Sequence, residues 1–170
     1  MSNLILVGFM GTGKSAVGRI LSKRLKRSFV DLDERITKEA GQTIAQIFAS
    51  EGETGFRERE SRAVAWAAGL KNHIIAAGGG ALLAKENTAL LKRSGTLICL
   101  TARPDVIFHR TTASLSSRPL LNAEEPRRRI EELMKLRAVS YAQAQLTVDT
   151  SDKSIAEVVE EILGKVQVSA

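Results

Sequence analysis

At 170 residues, with 44% hydrophobic, 26% charged and 4% aromatic residues, the chain has the size and composition of one globular domain with a sizeable core. A formal net charge of +6 suits anionic partners, but one Trp and one Tyr leave few rings for base stacking, so small anionic ligands are expected and nucleic acid is not. No apolar run approaches the ~20 residues that span a bilayer, so no membrane partner is expected. The lone cysteine, Cys99, excludes an internal disulfide and fits a reducing, cytoplasmic setting.

The first predicted element is an apolar strand, Leu4–Val7. Met1 to Val7 has no basic leader and reads as a strand rather than a signal peptide. Gly8-Phe9-Met10-Gly11-Thr12-Gly13-Lys14-Ser15 follows, and a helical pattern then runs from Lys14 to Arg27. Strand, G-x-x-x-x-G-K-S and helix in this order mark a P-loop that cradles phosphates. Its glycines let backbone N–H groups of Gly11, Thr12, Gly13 and the residues up to Ala16 converge on phosphate oxygens, helped by the positive end of the helix dipole. Lys14 reaches the outer phosphates and the Ser15 hydroxyl ligates Mg²⁺. A nucleoside triphosphate is the expected ligand.

The second strand, Phe29–Leu32, runs into Asp31-Leu32-Asp33, whose carboxylates share one side of an extended chain. Many P-loop proteins carry the metal-linked Asp on a further strand. Here the third strand, Ile74–Ala77, ends in Gly78-Gly79-Gly80, so the metal role falls to Asp31. Asp33 is left either to orient and deprotonate an attacking hydroxyl or to cap the helix starting at Glu34. Arg57 lies four residues after Glu53, which on local grounds makes it an ion-pair partner on a helix. The triple glycine permits a flat, rigid ligand to press against the backbone. Strands at Leu97–Leu100, with Cys99 as a core thiol, and at Leu146–Val148 complete a set of five. Helices are expected at Leu82–Lys92, Arg127–Ala144 and Ile155–Val166. This alternation predicts an α/β doubly wound parallel sheet with ligands at the carboxyl ends of its strands.

Taken together, Gly8–Ser15, Asp31-Leu32-Asp33, the spacing from Gly41 through Ile47-Phe48, Gly52-Glu53 and Phe56-Arg57 to Glu60, Gly78-Gly79-Gly80, Arg118-Pro119-Leu120-Leu121 and Arg137 with Tyr141 resemble shikimate kinase. The likeness covers essentially the whole chain. It implies one P-loop kinase domain over residues 1–170 of the nucleoside-monophosphate-kinase type, with sheet order 2-3-1-4-5, a substrate-binding subdomain about 33–61 and a mobile lid about 112–126. It further implies ATP- and Mg²⁺-dependent phosphorylation of the 3-hydroxyl of shikimate by a cytoplasmic monomer, on the route to chorismate and the aromatic amino acids. Carried over, Lys14, Asp33 and Arg118 would be catalytic, and Ser15 and Asp31 would place the metal. Asp33, Arg57, Gly79, Gly80 and Arg137 would hold shikimate, with Phe56 serving either the ring or the core. Arg110 and Arg118 would meet the ATP phosphates, and Ser151 would lie in the adenine loop, Thr150–Lys153. The chain departs from the family pattern at Val139-Ser140 (often Pro-Leu), at Ile155 (often Pro) and at Ala77, where a hydroxyl residue is frequent. Ser154 and Glu157 form an S-x-x-E capping box that starts the last helix without proline. The alternatives are a kinase of another polyol acid such as gluconate, or a non-catalytic nucleotide-binding relative.

Overall fold

A computed structural model describes residues 2–166; Met1, at the head of the first predicted segment, lies outside them. Five strands form one parallel sheet: β1 (Asn3–Gly8), β2 (Ser28–Asp31), β3 (His73–Ala76), β4 (Gly95–Thr101) and β5 (Leu146–Asp149). Their spatial order is β2-β3-β1-β4-β5, as expected. From central β1 the chain crosses to β2 at one edge, returns to β3 beside β1, then passes to β4 and β5 on the other side. The carboxyl end of β1 therefore opens into the crevice where that order reverses.

Alternation along β1 decides what covers each face. Leu4 and Leu6 pack with Val17 and Leu21 of α1 (Lys14–Leu25) and with Val158 and Ile162 of α7 (Ile155–Lys165). Ile5 and Val7 face the other way, toward Leu32 and Ile36 of α2 (Leu32–Ala40), Val64 of α3 (Ile44–Ala68) and Leu91 of α4 (Lys85–Ser94). Each such aliphatic side chain, once buried, contributes about 1.5–3 kcal/mol. A third cluster, with Phe9, Ile107, Leu121, Ile130 and Leu133, lies where α5 (Pro104–Thr111) meets α6 (Pro126–Tyr141). Two short 3-10 helices, Thr112–Ser117 and Pro119–Leu121, cross from α5 toward α6 and form the predicted lid segment.

The structure corrects several boundaries. The second strand stops at Asp31, whose carboxylate accepts from the N–H groups of Asp33 and Glu34. The helix cap is therefore Asp31, not Asp33, and Asp33 reaches the crevice from the first turn of α2 rather than from strand geometry. Two capping bonds to a charged acceptor outweigh one further ladder pair. Helix α4 starts at Lys85, three residues later than predicted, because Gly78–Ala84 is used up in turns closed by Ala81 N–H to Gly78 O and Leu83 N–H to Gly80 O. Helix α6 spans Pro126–Tyr141 instead of Arg127–Ala144. The capping box at Ser154 and Glu157 is present as expected. Gly8 admits no other residue: its φ is 136°, and a Cβ there would lie 2.2 Å from the Leu100 carbonyl oxygen. Among the described residues no helix is long and apolar enough to cross a membrane.

Candidate active site

The P-loop turns out of β1 through Gly8 and enters α1 at Gly13, the helix N-cap, with φ 96°. The Lys14 ammonium folds back over the loop and donates to the carbonyls of Gly8 (2.9 Å) and Phe9 (3.0 Å). Burial pulls its pKa down to about 8, while the charges of Asp33 and Asp31 act the other way. The Ser15 hydroxyl donates to Asp31 Oδ2. A hydroxyl and a carboxylate so joined form a hard-oxygen donor pair that fits Mg²⁺. No group of three or more His, Cys, Asp or Glu suited to a metal occurs among the described residues. That is consistent with the habit of Mg²⁺, which takes one or two protein oxygens and fills its shell with phosphates and water.

Beside the loop lies a cavity of about 300 Å³, whose lining includes Asp33, Phe56, Arg57, Glu60, Gly79, Gly80, Arg118 and Arg137. Asp33 Oδ1 is buried without a hydrogen-bond partner. Burial, reinforced by the neighbouring Asp31 charge, raises the Asp33 pKa to about 6, with Lys14 opposing. Arg57 satisfies both local and site readings. Its guanidinium bonds Glu53 (3.2 Å) and Glu60 (2.7 Å), yet it lines the cavity as well. Gly80 makes room for it, since a Cβ there would lie 2.1 Å from Arg57 Nη1. Phe56 also serves both purposes: it belongs to the core cluster, packs on Phe48 at 4.8 Å between ring centroids, and walls the cavity.

Arg137 is 3% exposed, and its Nη1 has no hydrogen-bond partner. Glu60 is 1% exposed with an unpartnered Oε1, and burial raises its pKa against the pull of Arg57. Sequence reading passed over Glu60 as a site residue; its i,i+3 spacing from Arg57 was the available signal. Arg118 comes from the junction of the two 3-10 helices, with Nε donating to Ser114 Oγ at 2.9 Å. Burial lowers its pKa, and the Asp33 charge works against that shift. Thus the cavity brings together Asp33, Arg57, Arg118 and Arg137, drawn from four separate segments, while Lys14 lies close enough to feel the charges of Asp33 and Arg118. Buried polar atoms normally find partners, so unpaired Asp33 Oδ1, Glu60 Oε1 and Arg137 Nη1 around one cavity mark a site for a polar ligand.

The shikimate kinase family model matches residues 10–167. The chain belongs to the shikimate kinase family. It is 47% identical to the shikimate kinase of Symbiobacterium thermophilum, over 97% of this chain and 96% of that protein. The shikimate kinase of Caldanaerobacter subterraneus subsp. tengcongensis is 45% identical, over 96% and 95% of the two chains. Among solved structures, shikimate kinase from Acinetobacter baumannii in complex with shikimate superposes with a TM-score of 0.92 at 36% identity, covering 96% of this chain and 91% of that one.

In this shikimate kinase family member the far end of the P-loop is tied to the loop after β5. Arg110, expected at the phosphates, donates to Gly11 O (3.2 Å), Thr150 Oγ1 (3.0 Å) and Thr150 O (2.8 Å). It does not line the cavity; it bridges the P-loop to the loop that holds Ser151. The hydroxyl of buried Thr150 has one proton to donate and lies within reach of two carbonyls, those of Thr12 (3.1 Å) and Thr101 (3.0 Å). Ser151 Oγ accepts from Arg103 N–H at 2.9 Å, and Arg103 grips Asp152 with two bonds of 2.6 and 3.1 Å. Arg103 and Thr150 were not legible as site-building residues in the sequence. Together with the Ser154–Glu157 box they fix this loop with Ile155, not proline, opening the last helix. The Cys99 thiol, buried, is pushed up to about 11, which suits a core residue and not a nucleophile.

Proposed function

We propose that this protein transfers the γ-phosphoryl group of ATP to the 3-hydroxyl of shikimate, giving shikimate 3-phosphate and ADP on the route to chorismate. The observation that carries the reading is the unpaired, buried Arg137 donor at a cavity that it lines together with Arg57, Asp33 and the P-loop residue Met10. Two guanidinium forks suit a carboxylate, and a carboxylate acceptor suits a hydroxylated ring. Arg57 and Arg137 take the shikimate carboxylate. Gly79 and Gly80 lie against the ring, and Asp33 accepts the proton of the attacking hydroxyl.

Residues Gly11 to Ala16 receive the phosphates, with Arg110 beside the P-loop to meet them and Ser151 in the adenine loop. Lys14 exchanges its two carbonyl partners for phosphate oxygens. Ser15 and Asp31 would hold Mg²⁺, which neutralises charge between the outer phosphates when bound. Arg118 approaches as the lid about 112–126 covers the site and excludes water from the subdomain about 33–61. A single chain supplies every residue named here, so a monomer would hold a complete site. The buried, unpaired cysteine supports a cytoplasmic setting.

The decisive assay couples ADP release to the acceptor: shikimate should drive ATP turnover and gluconate should not. Gluconate-driven turnover would move the assignment to another polyol acid, and no turnover with either would leave a binding protein. The substrate grip has its own test. Arg137→Ala leaves a buried anion poorly paired, which costs on the order of 2–5 kcal/mol. Shikimate affinity should fall about thirtyfold or more, with ATP affinity nearly untouched. An unchanged shikimate Kd by calorimetry removes Arg137 from the site.

A further inference from the structure

Helix α6 carries Tyr141 four residues after Arg137, so both side chains leave the same face of the helix. The Tyr141 hydroxyl donates to the carbonyl of Gly79 at 2.5 Å, a contact spanning 62 positions in sequence. The turns of the glycine segment use the carbonyls of Gly78 and Gly80, and the carbonyl between them is taken by this tyrosine. Gly79 itself is wedged among three parts of the site. A Cβ placed on it would meet Arg137 Nη1 at 3.3 Å, Met10 N at 3.5 Å and Gly8 O at 3.7 Å.

Three consecutive glycines have the greatest backbone freedom of any sequence, so a segment that must present a fixed surface needs pins from outside. Packing places the ring itself: Tyr141 lies against the core cluster of Val7, Ala77 and Cys99 and against that of Phe9, Ile130 and Leu133. A second, largely apolar cavity of about 290 Å³ also borders it, lined among others by Phe9, Cys99, Leu100, Met134 and Ala138. Apolar packing does not hold a glycine carbonyl, so the hydroxyl is what ties the placed ring to the glycines. Burial pushes the phenol up to about 12, against the charge and a side-chain hydrogen bond of neighbouring Arg137, so it remains a donor throughout the working pH range.

We propose that Tyr141 is a positioning residue: by holding the Gly79 carbonyl it fixes the glycine wall relative to Arg137 and the P-loop, and so sets acceptor affinity. This rests on the reading of the cavity as the shikimate site, and the test separates the two. Tyr141→Phe keeps the ring and removes the bond. In the ligand-free protein, amide exchange at residues 78–81 should quicken about tenfold, while residues 130–136 of α6 keep their protection. KM for shikimate should rise about fivefold to tenfold, with kcat and KM for ATP within about twofold. Met134→Leu, which preserves the volume beside the same cavity, should move none of these. Unchanged exchange at residues 78–81 overturns the proposal whatever the substrate proves to be. Equal changes in both KM values with a lowered melting temperature overturn it too, since they would make Tyr141 a general prop. If the exchange changes but wild type does not turn over shikimate, the pin stands and the substrate assignment falls.

Discussion

Arg118→Ala is expected to lower kcat by about three to five powers of ten, the range supplied by an arginine finger in comparable P-loop systems. The residue sits where the lid segment bends between its two 3-10 helices, half-buried over the cavity and followed by Pro119, which stiffens the chain on one side. Its present side-chain anchor is one hydrogen bond from the charged guanidinium, Nε to the neutral Ser114 Oγ. Such a bond is worth about 1.5–3 kcal/mol, and a charged phosphate oxygen is a stronger acceptor than the serine it would replace. Charge on the leaving side grows as the phosphoryl group departs, so a positioned guanidinium helps the transition state more than the ground state. Shikimate Kd should therefore change little, and Arg118→Lys should recover only part of the rate because it lacks the planar fork. Turnover within about threefold of wild type would make Arg118 an ordinary lid residue, well short of a finger-sized effect.

Asp33→Asn is expected to cost about two to four powers of ten in turnover, the usual range for loss of a general base. Asp31→Asn should act differently, raising the Mg²⁺ concentration needed for half-maximal rate, because Asp31 is the carboxylate bonded to Ser15. Near-normal turnover in Asp33→Asn, with a severe loss in Asp31→Asn that Mg²⁺ does not relieve, would reverse the two roles. A pH signature accompanies the first effect. Burial and the Asp31 charge raise the Asp33 pKa to about 6, so kcat/KM of the wild type should decline as pH falls through that value. Asp33→Asn should lack that limb. The sign for stability is opposite to that of a paired carboxylate. The folded protein holds this proton more tightly than the unfolded chain does, so ionised Asp33 costs stability above pH about 6, and the cost fades toward its ordinary value of 3.8. Ligand-free Asp33→Asn should thus be more stable at pH 8, by on the order of 2 kcal/mol, with the gain gone near pH 4. A melting temperature that drops at pH 8 would place Asp33 among structural carboxylates.

Local chemistry alone determined much of this protein. The P-loop was legible because its glycines, lysine and serine act within eight consecutive residues, and the strands because parallel sheets covered on both faces read as short apolar runs. The capping box at Ser154 was equally plain, since its two bonds close over four residues. Boundaries failed where side chains compete with the backbone, as at Asp31, whose carboxylate ends β2 by capping α2. Spacing could not decide what Arg57, Phe56 and Arg110 do, because ion pair, core packing and ligand contact leave the same local pattern. Only the fold shows what each of them touches. It sets Glu60 and Gly80 around Arg57, draws Arg110 away from the cavity to Gly11 and Thr150, and leaves Arg137 buried with a free donor. Those outcomes depend on which atoms are stripped of water and left without a partner, and desolvation is a property of the packed molecule that no stretch of sequence carries by itself.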